Sequence, residues 1–429
     1  MKHKQWEHEL FPFNLHEYTL PSGLSVWAMP TKQARYHAAL TVHFGALDLS
    51  FESRGKTVDL PAGVAHFLEH QMFTTETGDA FDEFARLGAS ANAYTGYEQT
   101  TYLFSTAEEF YPSLALLLTL VRSPGFDKVT VEKERGIIEQ ELRMYDDMPY
   151  FRVNRNLRQA LYSRHHARFD VGGSVESIGQ ITADHLWEAF GSFYQPHNMV
   201  LFVAGDFCAE ELGQWLTDNG PPVLSEPFCV KRLSQTEPSG VVEKRVESVI
   251  PVAVPIVQIG FKDVGDLPVN GTGILRQELV TSLVHHALFG KSSILYEDLY
   301  RAGLAGQLSA DFESGPHYGL SIITAETDQV EATLERVLEA IDVARTGGMA
   351  RETATRGIRR MLGNLVSMFN HPESVGQFIV SQLLREVGPL TIMEILPDIE
   401  VQELNERLRE HLDKEQCAVS IVTAPSSTQ

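Results

Sequence analysis

Hydrophobic and polar positions follow a regular succession along the first part of the chain. Residues 18–49 contain two strand-like runs, YTLPSGLSVWAMP and HAALTVHFGALDLS, and Pro21-Ser22-Gly23 predicts a hairpin turn. The run PAGVAHFLEHQMF follows, with Pro61 near the predicted start of a helix. We therefore expect this region to form strands first and then a helix.

The alternation of helices and strands continues through the rest of the first half. AFDEFARLG predicts a short helix that ends at Gly88, and ASANAYTGYEQTTYLFS predicts two strands around a turn at Thr95-Gly96. YPSLALLLTLVRSP predicts a helix that ends before Pro124, and NMVLFVAGDF predicts a buried strand.

Residues 225–245 lose this periodicity and gather Pro, Ser and Lys. We therefore predict an N-terminal domain at 1–228, a linker at 229–245 and a C-terminal domain at 246–429. The second half begins with the strand run VAVPIVQIGF, continues with the helical runs ILRQELVTSLVHHALF and QVEATLERVLEAIDVA, and has a late strand, CAVSIVTA. Each half is thus α+β, and the similar element order points to a duplicated architecture without an obvious sequence repeat.

Composition and charge narrow the class of protein. The 429 residues favour two domains, and 43% hydrophobic with 21% charged residues is typical of a globular chain. The formal net charge of −22 argues against a nucleic-acid-binding protein, which needs a basic face. No apolar run approaches the ~20 residues of a membrane helix, and MKHKQWEHELFPF lacks the apolar core of a signal peptide. We expect no membrane partner and a cytoplasmic location, with Cys208, Cys229 and Cys417 as free thiols.

The first candidate metal-binding residues lie in AGVAHFLEHQMF, residues 62–73, where His66 and His70 are four positions apart. On a helix these two imidazoles face the same way, as two zinc ligands must. Glu69 points near the same place and could accept a proton from a zinc-activated water. H-x-x-E-H is a metallopeptidase signature. The alternative is a buried amphipathic helix whose histidines are satisfied by other hydrogen bonds.

A third ligand could come from VEKERGIIEQELRMYDDMP, within a long helix predicted from about Thr130 to Tyr145. Glu134 and Glu141 are seven residues apart and share one face, and Ile137 and Ile138 between them indicate a buried side. Carboxylates beside a buried face are costly unless a cation meets them. Three further carboxylates compete with them and are expected to be solvated: Glu132, Glu139 and Asp146.

Three stretches, AHFLEH, GASANAYTGYEQTTYLFS and VEKERGIIEQELRMYDDMP, resemble the pitrilysin/insulinase family of zinc peptidases. The resemblance covers most of residues 15–210. They are most similar to bacterial subunits related to mitochondrial processing peptidase. The resemblance implies two related α+β domains, each an antiparallel-rich sheet with helices packed on one face. Together the domains would form half of a clamshell that encloses unfolded peptides.

The resemblance also implies a role for each residue that matches the family's motifs. His66, His70 and Glu141 would be the zinc ligands, and Glu69 and Glu134 would be the catalytic pair, as general base and as support for the site. SANAYT resembles the family's substrate-binding edge strand. Three of its residues would pair with the peptide backbone: Asn92, Ala93 and Tyr94. For Asn92 alone, an ordinary sheet position is the alternative.

The second half departs from the family pattern, in which an Arg and a Tyr reach the active site and hold the scissile carbonyl. In SSILYEDLYRAGLAGQLSADF, Leu299 stands at the Arg position and Gly306 at the Tyr position, while Tyr300 and Arg301 lack the spacing. We therefore predict the zinc-bearing subunit of a heterodimer whose homologous partner supplies both residues.

The sequence is compatible with several other functions. The protein could be a homodimer with a degenerate site, an inert structural subunit, or a metal hydrolase acting on a non-peptide substrate. Among peptide substrates, leader or core peptides awaiting maturation, signal fragments and general small peptides all remain candidates.

Overall fold

The computed structural model describes residues 1–8, 11–75, 78–223 and 228–425. The chain forms two compact units. The first unit comprises Met1–Leu142, Asp170–Leu233 and Leu365–Leu384, and the second comprises Arg143–Phe169, Ser234–Asn364 and Arg385–Gln429.

The strands are numbered in chain order, and the first twelve belong to the first unit. They are β1 Lys2–His8, β2 Phe11–Thr19, β3 Ser25–Pro30, β4 Tyr36–Val42, β5 Ser50–Ser53, β6 Lys56–Asp59, β7 Thr74–Thr75, β8 Gly78–Asp79, β9 Ser90–Thr95, β10 Thr100–Thr106, β11 Met199–Gly205, β12 Lys231–Arg232, β13 Arg245–Val249, β14 Ile256–Lys262, β15 Gln307–Gly315, β16 Tyr318–Glu326 and β17 Cys417–Thr423.

The α-helices follow the same convention. They are α1 Val64–Met72, α2 Ala80–Arg86, α3 Phe110–Leu120, α4 Lys128–Asp146, α5 Pro149–Leu161, α6 Val175–Ile178, α7 Ala183–Phe193, α8 Ala209–Asn219, α9 Gly271–Phe289, α10 Ile294–Ala302, α11 Val330–Gly347, α12 Arg351–Met368, α13 Pro372–Leu384, α14 Thr391–Ile395 and α15 Val401–His411. Short 3₁₀ turns occur at His166–Arg168, Pro196–Asn198, Leu396–Asp398 and Lys414–Gln416.

The main sheet of the first unit runs in the order β1-β2-β3-β11-β4-β10-β9 across the described residues. Only its β3–β11 pair is parallel in the described ranges, and the other neighbours are antiparallel. Every residue of β11 is buried, as expected for a central strand with both faces covered. β9 lies at one edge of this sheet, next to α1.

The second unit repeats the inner part of this topology. Its described strands run β13-β17-β14-β16-β15, with β13 and β17 parallel and the other pairs antiparallel. In both units the last strand of the set lies between the first and the second, and the third forms the edge. The α+β architecture of two related, sheet-containing domains predicted from the sequence is thus confirmed.

The two units interleave along the chain, which a linear division at 229–245 does not describe. Helix α5, from the first half of the sequence, packs on β13, β14 and β17 in the second unit. Helix α13, from the second half, packs on β4 and β11 in the first unit. The periodicity of a helix shows that one face is buried but not which sheet covers it, so the exchange has no signature in the local pattern.

The predicted linker makes specific buried contacts. Residues 225–227 of the stretch without periodicity lie outside the described residues. Further along, the Glu237 carboxylate accepts hydrogen bonds from the backbone N–H groups of Ser163, Arg164 and His165 at 2.8–2.9 Å. Lys262, which is fully buried, donates to Glu237 at 3.0 Å. This part of the predicted linker is therefore anchored within the second unit.

We expect the Glu237 contacts to make stability depend on pH in the acid range. Although burial acts in the opposite direction, the backbone donors and Lys262 hold the pKa of Glu237 at about 2, against an ordinary 4.5. The unfolded chain then binds more protons between these values, so the stabilisation is complete above about pH 4.5 and is lost as the pH falls toward 2. Because water screens part of these interactions, Glu237→Gln should lower the free energy of unfolding by about 1–2 kcal/mol at pH 7 and flatten its acid slope.

Urea unfolding between pH 3 and pH 7 measures this effect. Glu410→Gln, at an exposed position of α15, is the matched control and should leave the pH profile unchanged. An unchanged profile in Glu237→Gln would show that the carboxylate contributes no pH-dependent stability.

Across the described residues, no helix is both long enough and apolar enough to cross a membrane. The described cysteines are free, with Cys208 and Cys229 exposed and Cys417 buried. The free thiols predicted from the sequence are thus confirmed.

Candidate metal centre

Close backbone packing fixes the start of helix α1. Gly63, directly before the helix, has φ 91°, and a Cβ there would lie 2.5 Å from the carbonyl oxygen of Gly172. Gly173 has φ 77°, and its Cβ would meet the Ala62 carbonyl oxygen at 2.5 Å. Ser177 donates to the same Ala62 oxygen at 2.8 Å. Both glycines are required by positive φ and close approach, and sequence reasoning did not single them out.

Helix α1 presents both histidines on one face. Val64, Phe67 and Leu68 are fully buried and hold the helix in the core. The rings of His66 and His70 lie 4.6 Å apart between centroids, as i, i+4 spacing predicts. The structure therefore contains the predicted helix with two imidazoles directed at one region.

Helix α4 brings Glu141 to these histidines. Its Oε2 lies 3.5 Å from His70 Nε2 and 3.9 Å from His66 Nε2. One ligand atom from each of the three residues lies within 4.8 Å of the others, and no second such group occurs among the described residues. Ligand atoms of a tetrahedral zinc lie about 3.3 Å apart, so the two separations from Glu141 are close to those that a bound zinc requires.

Two of the three competing carboxylates of α4 form ion pairs with arginines. Glu132 is exposed and forms an ion pair with Arg135 at 2.5 Å, and Asp146 pairs with Arg155. Of the two isoleucines, Ile138 is fully buried but Ile137 is 46% exposed. The buried side of α4 is therefore narrower than the pattern suggested.

Glu134 bonds to the other side of the His70 ring. Its Oε1 lies 3.0 Å from His70 Nδ1, so that a proton on Nδ1 leaves Nε2 free on the side of Glu141. This carboxylate–imidazole pair is the arrangement that orients metal-binding histidines. His66 Nδ1 is buried and has no hydrogen-bond partner among the described residues.

The surroundings of the two histidines shift their pKa values in opposite directions. Burial, followed by the neighbouring His70, lowers the pKa of His66 to about 4, so the ring is neutral and able to bind a metal at pH 7. Burial acts on His70 in the same direction. However, its bond to Glu134 and the nearby Glu69 and Glu141 carboxylates raise its pKa above the ordinary value.

Glu69 lies on α1 but outside the group of three ligand atoms. Its side chain is buried, and burial raises the pKa of its carboxyl group, which increases its strength as a base. Oε2 accepts a hydrogen bond of 2.6 Å from the Thr95 hydroxyl, at the end of β9. Thr95 was not among the residues singled out from the sequence, where it marked only a turn.

A second link joins the two helices that carry the site. The Thr130 hydroxyl donates to Gln71 Oε1 at 3.1 Å, and Gln71 Nε2 donates to the Thr130 carbonyl at 3.4 Å. Gln71, which follows His70 in the sequence, is fully buried. The Asp127 carboxylate accepts a hydrogen bond from the backbone N–H of Thr130 at 2.9 Å. The start of α4 is thus tied directly to α1.

The predicted edge strand is β9, beside the metal-ligand helix. It pairs with β10 in antiparallel register, with Ala93 opposite Tyr102, and its other side is an edge within the described part of the sheet. Asn92 is exposed and its Oδ1 accepts from the Ala93 N–H at 2.9 Å. The Tyr94 hydroxyl accepts from Gln99 at 3.4 Å.

The residues at and near the family's Arg and Tyr positions lie in α10 and just before β15. Leu299 is buried in α10, and Gly306 immediately precedes β15. Tyr300 is exposed, as is Arg301, which forms an ion pair with Glu297. None of these residues forms a buried hydrogen-bonding site within the described part of the second unit.

Comparison with known proteins identifies the family. The insulinase (peptidase family M16) model matches residues 34–172, and the peptidase M16 inactive domain matches residues 180–361. The uncharacterised zinc protease YmfH of Bacillus subtilis is 32% identical over 429 residues, covering 99% of this chain and 100% of that protein. An M16-like peptidase of known structure from Alicyclobacillus acidocaldarius is 30% identical, with a TM-score of 0.91 over 97% of this chain and 99% of that chain.

A more distant relative is named as a subunit. This protein of Schizosaccharomyces pombe, a probable mitochondrial-processing peptidase subunit beta, is 24% identical over 417 residues, covering 91% of this chain and 86% of that protein. The zinc predicted as cofactor agrees with the names of several relatives and with the zinc dependence of the family. The chain therefore belongs to the insulinase family of zinc peptidases, peptidase family M16.

Proposed function

We propose that this protein is the catalytic subunit of a zinc metalloendopeptidase that hydrolyses unstructured peptides. The observation that carries the proposal is the meeting of His66, His70 and Glu141, with one ligand atom of each within 4.8 Å. Two imidazoles and one carboxylate are a common ligand set for catalytic zinc in peptidases, with a further position left for water.

The remaining carboxylates of the site have separate roles in this proposal. When bound, zinc supplies a Lewis acid that polarises the scissile carbonyl and makes water a stronger acid. Glu69 takes a proton from the attacking water and later passes it to the nitrogen of the leaving amine. Glu134 keeps the His70 ring in the tautomer that carries its proton on Nδ1. Nε2, on the side of Glu141, is then free to bind the metal, and the ring is held in place.

The substrate in this proposal is an extended peptide that pairs with β9. An edge strand offers backbone groups to a second chain, and the main-chain hydrogen bonds of this pairing do not depend on particular side chains of the peptide. The Ala93 N–H, bonded to Asn92 Oδ1, would exchange this partner for the peptide. Asn92, Ala93 and Tyr94 would make these contacts, which places the peptide along the strand that ends beside Glu69. A role in peptide maturation is compatible with this broad recognition, and the cytoplasmic location remains a prediction.

We further propose that a homologous partner completes the site. The positions aligned with the family's Arg and Tyr are Leu299 and Gly306, which offer no side-chain hydrogen-bond donor. Removal of one donor to a developing oxyanion costs about 100- to 1,000-fold in rate. We therefore expect a homologous chain encoded beside this one to raise peptide cleavage at least about 100-fold when mixed with it.

A quenched fluorescent peptide without secondary structure measures this effect, with each chain alone and with the mixture. Full cleavage by the isolated chain, unchanged by the partner, would contradict the heterodimer and favour a self-sufficient homodimer. Absence of cleavage in every combination would contradict the peptidase proposal and favour an inert subunit.

A further inference from the structure

Thr95 connects the edge strand to the proposed base. It is the last residue of β9, and its hydroxyl donates to Glu69 Oε2 at 2.6 Å. A hydroxyl bound to one carboxylate oxygen fixes the plane of the carboxyl group and leaves the second oxygen available to another donor. Without this bond, the long glutamate side chain would have more freedom to turn about its torsions.

The hydroxyl of Thr95 is positioned by the sheet. Thr95 lies opposite Thr100 in the β9–β10 register, and the turn between them is closed by a hydrogen bond of 2.7 Å from Gly96 N to Gln99 O. Thr100 is fully buried and donates to the Phe44 carbonyl at 2.9 Å. The end of β9 is therefore fastened to the interior of the first unit, and the orientation of Glu69 depends on a rigid element.

We propose that Thr95 is a positioning residue that holds the Glu69 carboxylate in its reactive orientation at the end of the substrate-pairing strand. This inference rests on the proposed peptidase function. The same strand then aligns the peptide backbone through its edge and aligns the base through its last side chain. Alignment of the two reacting groups by one element is an effective way to hold a near-attack geometry.

Thr95→Val should separate this role from substrate binding and from metal binding. Valine has the shape of threonine and suits a strand, but it cannot donate a hydrogen bond. We expect kcat to fall about 10- to 100-fold, as for loss of a hydrogen bond to a charged group. KM should change less than about twofold, since the backbone of β9 is unaltered, and zinc content should stay at the wild-type value. Thr95→Ser should restore kcat to within a few-fold of wild type, because the hydroxyl is retained.

The matched control is Thr101→Val on the adjacent strand. Thr101 is buried and bonds to Thr41 between hydroxyl oxygens at 2.9 Å, away from Glu69. This variant should lose stability, measured by thermal unfolding, while its kcat per folded molecule is unchanged. Thr95→Ala replaces Thr95→Val if the valine variant does not fold.

Each outcome supports or overturns the inference. An unchanged kcat in Thr95→Val, a Thr95→Ser variant as slow as Thr95→Val, or a loss of zinc in either variant would overturn the positioning role. In those cases the wild type still cleaves the peptide and the proposed function stands. If the wild type does not cleave any unstructured peptide, alone or with a homologous partner, the proposed function fails and the role of Thr95 fails with it.

Discussion

Glu69→Gln should lower the turnover of an unstructured peptide at least about 100-fold while zinc content remains at about one per chain. Glutamine keeps the size of the side chain and can still accept the Thr95 hydrogen bond through its carbonyl oxygen. It cannot take a proton from water, so the general base is lost while the ligand set is retained. The measurement is kcat from initial rates, with zinc determined on the same sample.

Glu132→Gln is the matched control for this substitution. Glu132 is on α4, 68% exposed and paired with Arg135, so its loss should leave turnover unchanged. Near-normal turnover in Glu69→Gln would contradict the assignment of Glu69 as base. Loss of zinc in the same variant would instead place Glu69 among the ligands.

Glu141→Gln should weaken zinc binding at least about 100-fold and abolish turnover at limiting zinc. Replacement of residues that merely orient ligands costs 10- to 100-fold in metal affinity, and loss of a direct ligand should cost at least as much. The neutral amide also removes the negative charge that faces His66 and His70. Competition with a zinc chelator gives the affinity of each variant.

Two neighbouring positions test whether this effect is specific. Glu139→Gln, two residues earlier on α4 and outside the group of three ligand atoms, should keep wild-type affinity. Glu134→Gln should weaken binding by a smaller factor than Glu141→Gln, because it contacts only the far side of the His70 ring. Unchanged affinity in Glu141→Gln would show that the third ligand is another group.

Local patterns predicted the parts of the fold that are determined locally. The histidine helix, the two strands around Thr95-Gly96 and the long helix of the carboxylates all depend on periodicity and turn residues within one element. The long helix begins at Lys128 rather than near Thr130, because Asp127 accepts from the backbone N–H groups of Val129 and Thr130. The candidate ligands follow from helix geometry together with the family resemblance.

Contacts between distant segments were beyond the reach of these patterns. The exchange of α5 and α13 between the sheets depends on which surfaces meet in three dimensions. Gly63 and Gly173 must be glycines because the start of α1 packs against a loop that lies more than a hundred residues later in the sequence. The bond from Thr95 to Glu69 likewise joins a strand end to a helix, and a threonine before a glycine gives no sign of it.

The central claim is that one zinc, held by His66, His70 and Glu141, is required for peptide hydrolysis. The most direct measurement is a titration of metal-free protein with zinc, in the presence of its homologous partner, while cleavage of an unstructured peptide is followed. We predict that cleavage is absent without metal, rises in proportion to added zinc and levels off at about one zinc per chain. Cleavage by the metal-free protein, or no cleavage at any ratio of zinc to protein, would contradict the account.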